Sequence, residues 1–407
     1  MQFTTQKALG AALVLAGASQ AGPAIVKRQD VGFNRFNASI GDFGEHAHSV
    51  ALSRLGANST CTADKVSVRK SWHDLTAEER IAYTDAVLCL QSKEAKTPSS
   101  LAEGAKSRFD DFVVTHINQT YNIHQTANFL GWHRWFIWEH EQALRNECGY
   151  KGTLPYWDWA RTAESGLANS PIFDGSETSM SGDGASLNYT SDDYIVVNAD
   201  QGDAAVYLPA GSGGGCVTSG PFVNYTVNLG PSGLTTINGG SDNSSYPYKH
   251  NPRCLKRSLT DYSNKRFANS SSVLTLLREP QDIWSFEWLM QGDPLYPELG
   301  VHGGMHFSMG GDPGRDLFVS PGDPAFYLHH GQIDHVWWLW QMQDPAARIE
   351  NWTSAVNGAF TMNNSTEPYR NGTAEDVQGV GFVAEGKAHP LGELLDPTAN
   401  DFCYVYV

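Results

Sequence analysis

Histidines are concentrated in two short windows of this chain, and this clustering constrains the fold more than any other feature of the sequence. Nine of the 14 histidines lie in these windows: His116, His124, His133, His140, His302, His306, His329, His330 and His335. Chance placement does not produce such grouping. We interpret each window as the cradle for one metal ion, so the fold has to bring the two windows face to face.

The second window is suited to hold two imidazoles on one ion. His302 and His306 are four residues apart, so on a helix they share a face, with about 6 Å between their Cβ atoms. A third ligand is expected from His329 or His330, of which only one can point into the site because neighbours on a helix diverge by about 100°. Asp334, four residues after His330, is placed to accept a hydrogen bond from a ring nitrogen or to anchor the helix start.

The first window offers one histidine on each of three consecutive elements. His116 ends a helix predicted over residues 101–117, and His124 lies in the loop that follows. His133 opens a helix predicted over residues 131–146. The three imidazoles are therefore expected to converge.

The ligand set favours copper. Three neutral nitrogens per ion suit copper, zinc or iron. No Asp or Glu takes a ligand-like place within either triplet, whereas a di-iron carboxylate site needs several and a zinc hydrolase adds a general-base carboxylate. Two all-histidine triplets therefore predict a pair of copper ions.

Hydrophobic spacing predicts a mainly helical chain with a loop-rich middle. Residues 161–260 are rich in Gly, Ser, Asn and Asp and are expected to form long irregular loops. Residues 29–60 are also expected to be irregular, and Thr76 with Glu79 matches a capping box. Helices are predicted over residues 64–94, 101–117, 131–146, 272–278, 281–290, 300–309 and 323–343.

The N-terminus predicts a secreted protein. Residues 1–21 combine Lys7, an apolar run and a small-residue cleavage point, as signal peptides do. Residues 22–28 end in Lys27-Arg28, which secretory-pathway proteases would cut; a chance Lys-Arg pair is the alternative. We expect a mature chain of one domain, residues 29–407. No later stretch is apolar over the about 18 residues that a membrane span needs.

Charge and cysteine content agree with secretion. The net charge of −16 disfavours nucleic acid as a partner, because an acidic chain repels phosphate backbones. Six cysteines predict disulfides, with Cys216–Cys254 as the pair expected to bracket the loop region. N-glycans are expected on Asn-x-Ser/Thr sequons, which begin at Asn37, Asn58, Asn118, Asn188, Asn224, Asn243, Asn269, Asn351, Asn363, Asn364 and Asn371.

Three motifs resemble a known family. The segments His124–Arg134 (HQTANFLGWHR), Asp323–His330 (DPAFYLHH) and His302–His306 (HGGMH) closely resemble the copper signatures of tyrosinases, catechol oxidases and molluscan-type haemocyanins. The segments Trp157–Trp159 and Tyr404–Tyr406 resemble further landmarks of these proteins. The resemblance is greatest to the short secreted fungal members.

This resemblance implies a four-helix bundle that holds both coppers, with long irregular loops and a few short strands. Phe326 would correspond to the bulky residue that gates the site in relatives. Position 122 is Asn, so the thioether between cysteine and histidine that many relatives form is not expected near His124. The implied ligands are His116, His124 and His133 for the first copper, and His302, His306 and His330 for the second. His140, His329 and His335 are then left as structural residues.

Gly303 bears on the activity that the resemblance implies. Relatives efficient at monophenol hydroxylation often carry Asn there, which with a glutamate holds a water. Glu287 or Glu298 could supply the carboxylate, but Gly303 cannot supply the amide. We therefore expect an oxidase that uses O2 to convert o-diphenols into o-quinones, with weaker monophenol hydroxylation or o-aminophenol oxidation. The alternatives are a tyrosinase proper, in pigment or secondary-metabolite formation, and a haemocyanin-like O2 binder; the natural phenol is left open.

Overall fold

Helices dominate the computed structural model, which describes residues 33–56, 60–293, 296–363 and 370–407. Residues Arg35–Val407 form one compact unit. Its helices are α1 (Ile40–Arg54), α2 (Ala77–Ser92), α3 (Arg108–Ile123), α4 (Phe129–Cys148), α5 (Trp159–Ser165), α6 (Asp261–Phe267), α7 (Ser270–Arg278), α8 (Ile283–Gln291), α9 (Gly300–Met309), α10 (Ala325–Gln341) and α11 (Trp352–Ala355). The predicted fold class, mainly α with few short strands, is confirmed.

Four of these helices carry the clustered histidines. The first window lies on α3, its C-terminal end and α4, and the second lies on α9 and α10. Helix α4 packs along α10, and α9 contacts α10, α6 and α8. The helical bundle thus brings together two windows that are far apart in the chain.

Helix α3 differs from the prediction in both of its ends. Ser107 accepts a hydrogen bond from the Asp110 backbone, while the Asp110 carboxylate accepts one from the Ser107 backbone, so the helix begins at Arg108 rather than at residue 101. It continues to Ile123, which places His116 inside the helix instead of at its end. His124 is the C-cap residue and not part of a long loop.

Two predictions near the N-terminus were wrong. The segment 29–60 is not irregular throughout, because a capping box of Ser39 and Asp42 starts α1 at Ile40. The helix predicted from residue 64 begins only at Ala77, where the predicted capping box of Thr76 and Glu79 is confirmed. The predicted signal peptide and propeptide, residues 1–28, lie outside the described residues.

The strands are short and pair two by two. Strand β1 (Ser67–Arg69) runs parallel to β12 (Tyr404–Tyr406), so the chain end is fixed beside an early segment. The loop-rich middle contains four antiparallel ribbons, pairing β2 with β5, β3 with β4, β6 with β9 and β7 with β8. These strands are β2 (Gly184–Ser186), β3 (Tyr194–Val197), β4 (Val206–Pro209), β5 (Gly214–Val217), β6 (Thr226–Val227), β7 (Leu234–Thr235), β8 (Ser241–Asp242) and β9 (Arg253–Cys254), and a last ribbon pairs β10 (Val377–Gly379) with β11 (Ala388–Pro390).

Disulfides fasten the loops and the chain end to this core. The expected Cys216–Cys254 bridge is present and spans the ribbon region. Cys89–Cys148 joins the ends of α2 and α4, and Cys61–Cys403 ties the segment before β1 to the segment before β12. Within the described ranges, no helix has the length and apolar character needed to cross a bilayer.

Candidate metal centre

The first histidine cluster forms where α3 meets α4. The ring centroid of His116 lies 5.0 Å from that of His124 and 5.8 Å from that of His133, and the last two are 5.2 Å apart. One ring nitrogen from each lies within 4.8 Å of the others, and all three side chains are buried. The structure therefore brings together the three histidines that the sequence predicts as a triplet.

Backbone carbonyls fix the orientation of these rings. A carbonyl oxygen only accepts, so each Nδ1 in contact with one carries the hydrogen and leaves the Nε2 lone pair free. The Nε2 atoms of His116 and His133 are buried and have no partner among the described residues. The contacts are His116 Nδ1 to Phe318 O at 2.8 Å, His124 Nδ1 to Thr120 O at 2.9 Å and His133 Nδ1 to Phe129 O at 2.8 Å.

The second cluster forms between α9 and α10 and contains four histidines. The ring centroids of His302 and His306 are 4.9 Å apart, and the His330 ring lies 5.3 Å from the first and 5.7 Å from the second. His306 Nδ1 donates to Gly314 O at 2.9 Å, as in the first cluster. His329 belongs to the same group of converging nitrogens.

The contacts of His329 and His330 differ. His329 Nε2 lies 3.1 Å from the His302 carbonyl oxygen, so that nitrogen donates and only Nδ1 retains a lone pair. Both ring nitrogens of His330 are buried without a partner among the described residues. The His330 ring stacks on that of His133, with centroids 4.5 Å apart, so it faces the first cluster directly.

Buried, unpaired ring nitrogens in two groups fit the copper ions that the sequence predicts. Leaving such atoms buried and unpaired costs free energy, which a bound metal ion would offset. Burial is the largest cause that lowers the histidine pKa values, with neighbouring histidines adding to it for His116 and His133. The pKa values of His124 and His306 fall to about 4. The rings are thus neutral near pH 7, the form that a metal ion requires.

A cavity of about 300 Å³ opens onto both clusters. His124, His302 and His306 form its floor. Gly303 also lines it, and a Cβ added there would meet Leu299 Cβ at 3.2 Å, whereas one at Gly304 would come within 2.4 Å of Phe267 Cβ. The cavity can therefore accept a side chain at position 303 with a small adjustment.

The other predicted site residues lie around this cavity in different ways. Glu298 lines the cavity and is exposed. Glu287 is buried beside it, against a small neighbouring space that Gln125 also lines, and burial raises its pKa well above the usual value. Phe326 is fully buried between the clusters, stacked on His330 with a centroid distance of 4.1 Å, and its role as a gate stays a prediction.

Asp334 does not serve either role predicted for it. It lies inside α10 rather than at its start, and its carboxylate accepts hydrogen bonds from side chains other than histidine. The donors are Arg134 Nε at 2.6 Å, Arg69 Nη1 at 3.3 Å, Tyr404 Oη at 2.7 Å and Tyr406 Oη at 2.5 Å. Asp334 therefore joins α10 to α4 and to the closing strand β12.

Sequence reasoning missed the segment that follows α9. Gly314 and Phe318 supply the carbonyl oxygens that orient His306 and His116, and Arg315 lines the cavity between them. A backbone carbonyl can come from any residue type, so no sequence signal could have found the first two. The arginine could have been noticed only from its position close behind the HGGMH motif.

Comparisons with known proteins give matches over most of the chain. A family profile for the common central domain of tyrosinase matches residues 106–343. Tyrosinase P of Aspergillus terreus is 40% identical over 371 residues, covering 88% of this chain and 97% of that protein. An N-acetyl-6-hydroxytryptophan oxidase of Emericella nidulans is 37% identical over 357 residues, covering 85% and 93%. A solved glycine-to-asparagine variant of a polyphenol oxidase from Thermothelomyces thermophila is 41% identical with a TM-score of 0.80, covering 90% of this chain and 97% of that one.

Proposed function

Because the chain belongs to the tyrosinase family and is a copper oxidoreductase, we propose that it oxidises o-diphenols to o-quinones with O2. The single observation that carries this proposal is the cavity floored by histidines of both clusters. Two catechols give up four electrons and four protons, and one O2 takes them up to form two waters. A haemocyanin-like carrier would bind O2 at such a site without turning over phenols.

The proposed ligands use one nitrogen from each of six histidines. When bound, a copper pair supplies the electron acceptor and the place where O2 is activated. The protein supplies the geometry, since backbone carbonyls hold four of the six rings with Nε2 free. The proposed set is His116, His124 and His133 for the first ion, and His302, His306 and His330 for the second.

His330 is the proposed member of the adjacent pair because of its contacts. The Nε2 atom of His329 already donates to a carbonyl oxygen, whereas neither nitrogen of His330 has a described partner. We expect His330→Ala to lower the copper content from two ions to about one per chain, because only the first triplet stays intact. We expect His329→Ala to retain two. Metal analysis of the purified proteins after copper loading decides, and the reverse pattern would contradict the assignment.

The cavity favours diphenols over monophenols in this proposal. A monophenol has to lose its proton, and an Asn amide with a glutamate would hold the water that takes it. Gly303 has no side-chain amide. Burial raises the pKa of Glu287, so this carboxyl group keeps its proton to a higher pH than usual. Glu298 shares the cavity with Gly303 and is the better placed of the two glutamates to hold a water. Tyrosinase activity proper is the second candidate, favoured by the name of the Aspergillus relative.

Oxygen uptake by the copper-loaded protein tests the proposal. Catechol, o-aminophenol and tyrosol are measured in parallel, with quinone formation followed by absorbance. We expect catechol to give the fastest oxygen uptake, o-aminophenol a slower one and tyrosol the slowest. Oxygen binding without quinone formation from any of the three would refute the enzyme and favour a carrier.

Secretion with removal of residues 1–28 is proposed from the leader and the Lys27-Arg28 pair. N-terminal sequencing of the protein from culture medium is expected to begin at Gln29. Retention in the cell, or a start at another residue, would contradict the proposed processing. Treatment with an N-glycosidase is expected to lower the apparent mass, because exposed sequons such as Asn37 and Asn118 are accessible to glycosylation.

A further inference from the structure

Arg315 introduces a positive charge into the wall of the histidine-floored cavity. Among the described residues that line this cavity, it is the one with a permanent positive charge. The chain as a whole carries a net charge of −16, so a cation at this place is not a consequence of general composition.

The segment that carries Arg315 is fixed to both histidine clusters. Gly314 O accepts the hydrogen of His306 Nδ1 at 2.9 Å, and Phe318 O accepts that of His116 Nδ1 at 2.8 Å. Between them, the Asp316 carboxylate accepts four backbone N–H groups, those of Ser232, Gly233, Phe318 and Val319, at 2.7 to 3.2 Å. The backbone of Arg315 is therefore held at a set position relative to the proposed copper pair.

The side chain is oriented but not neutralised. Arg315 Nε donates to Thr235 O at 2.8 Å, which fixes the plane of the guanidinium. In the described part of the chain it forms no ion pair: Asp312, close in sequence, is held by Arg253 through contacts of 2.6 and 2.7 Å, and Asp316 is engaged by backbone groups. Burial is the main cause that lowers the Arg315 pKa, and the nearby Tyr189 and Asp312 offset only part of this effect.

We propose that Arg315 binds a carboxylate on the side chain of the phenol, so that the preferred substrates are single-ring o-diphenols that carry an acidic side chain. This inference rests on the proposed function. A planar guanidinium with free N–H groups matches a carboxylate in a bidentate arrangement. The cavity volume of about 300 Å³ lies at the small end for ligand pockets, which suits one ring with a short side chain rather than a polymer.

Because the loop is already fixed, binding the acid requires little ordering of the protein. The entropic cost of binding is correspondingly low. In this proposal the bound carboxylate orients the phenol ring with its hydroxyl groups towards His302 and His306. Arg315 acts in this proposal on substrate binding and orientation, and it takes no part in electron transfer. Two carboxylates also line the cavity: Glu298 is exposed and screened by water, and Asp316 is engaged by four backbone N–H groups.

The test compares a catechol that carries a carboxylate with its uncharged methyl ester, 3-(3,4-dihydroxyphenyl)propanoic acid and methyl 3-(3,4-dihydroxyphenyl)propanoate. With the copper-loaded protein we expect kcat/KM for the acid to exceed that for the ester by about tenfold, as charge-assisted hydrogen bonds allow. In Arg315→Gln this ratio is expected to fall about tenfold, and in Arg315→Lys to an intermediate value. An equal ratio in wild type and Arg315→Gln overturns the proposal.

Arg266→Gln is the matched control. Arg266 also donates to a backbone carbonyl, that of Pro297 at 2.9 Å, and it forms no ion pair within the described ranges, but it is exposed and lies outside the cavity. The acid-to-ester ratio is expected to stay at the wild-type value. A fall in this variant equal to that in Arg315→Gln would mean that general charge, not the cavity contact, sets the preference.

A binding measurement separates this proposal from the oxidase function. Calorimetry on the copper-loaded protein with 3-phenylpropanoate and 3-phenylpropanamide, neither of which is oxidised, is expected to give about tenfold tighter binding of the anion. If neither catechol is turned over, the oxidase proposal fails while this difference still supports Arg315. Equal binding of the anion and the amide overturns the inference even if catechols are oxidised. Should Arg315→Gln not fold, the same binding measurement on wild type and Arg315→Lys decides the matter.

Discussion

The buried carboxylate of Asp334 offers a sharp test of what holds the two histidine-bearing helices together. Asp334 lies one turn beyond His330 on α10, and Arg134 directly follows His133 on α4. Their side chains are joined by an ion pair of 2.6 Å from which water is almost excluded. The substitution Asp334→Asn keeps the shape of the side chain and removes its charge.

The expected loss of unfolding free energy follows from the hydrogen-bond and ion-pair partners that Arg69 and Arg134 keep after the substitution. Arg69 keeps a second carboxylate, Glu141, at 2.9 Å. Among the described residues Arg134 then keeps only neutral acceptors, the carbonyl oxygens of Leu394 and Leu395 and the Gln341 side chain, and so lacks a paired carboxylate there. Breaking a buried pair from one side costs about 3–5 kcal/mol, and we expect Asp334→Asn to lower the free energy of unfolding by that amount.

Denaturant unfolding followed by tryptophan fluorescence, with the disulfides intact, measures the effect. Asp74→Asn is the control, because Asp74 binds Arg161 at 2.8 Å but both side chains are about half exposed, and such pairs contribute about 0.2–1 kcal/mol. A loss below about 1 kcal/mol for Asp334→Asn would refute the argument that burial makes this pair important.

The pH dependence gives the same prediction a second readout. Burial alone would raise the Asp334 pKa, but Arg134, Arg69 and the two tyrosine hydroxyls together hold it below its usual value of 3.8. The stability that the charge contributes is therefore fully present above pH 3.8 and is lost as the pH falls through the lower folded-state pKa. The difference in the free energy of unfolding between wild type and Asp334→Asn should stay constant from neutral pH downward and become smaller only below pH 3.8.

Three further predictions concern the cavity and the disulfides. Gly303→Asn is expected to raise the rate of monophenol hydroxylation relative to diphenol oxidation, measured as oxygen uptake with tyrosol and catechol. Gly304→Asn should instead lower the yield of folded protein, because its Cβ would meet Phe267 at 2.4 Å. An unchanged ratio of the two rates in Gly303→Asn counts against the proposed role of a bound water. Since burial raises the Glu287 pKa, wild-type stability should fall as the pH rises above 4.5, so the stability advantage of Glu287→Gln should grow over that range, and a constant difference in unfolding free energy would contradict this. Removing the Cys61–Cys403 bridge, which spans 342 residues, should cost about 6 kcal/mol against about 4 kcal/mol for Cys216–Cys254, which spans 38, when paired serine variants are compared by thermal unfolding.

Local sequence signals located most of the helices, and the errors have two causes: a distant strand partner, and local capping boxes that were overlooked. Helix α9 begins and ends at the predicted residues, and the Thr76 cap starts α2 as expected. The helix predicted from residue 64 failed because Ser67–Arg69 is drawn into a parallel pair with Tyr404–Tyr406, a partner that no local pattern reveals. Helix α3 was displaced because the capping box at Ser107 was overlooked.

The candidate site could be predicted in more detail than the fold, because its chemistry depends on the identity and spacing of its residues. Histidine is the residue that a copper triplet requires, and a spacing of four on a helix is visible in the sequence. What the sequence could not show is which groups fix each ring. Of the four carbonyl contacts, two come from a preceding turn of the same helix and two from the segment Gly314–Phe318, and a backbone carbonyl can belong to any residue type. The role of Asp334 was hidden for a related reason, since its partners lie on α4, β1 and β12.

The side chains that line the cavity wall are distinct from the backbone groups that orient the histidine rings. Main-chain oxygens orient four of the six proposed ligand rings, so most side-chain substitutions elsewhere leave these four in place. The cavity wall instead comes from the ribbon region, through residues such as Val197 and Thr235, and from the segments flanking α9, which carry Glu298 and Arg315. The segment after α9 contacts His116 and His306 through backbone carbonyls, so its side chains can change while those contacts remain. Substrate preference in a chain of this kind can therefore change through wall residues while the proposed copper cradle stays constant, and Arg315 is the wall residue at which this separation can be measured.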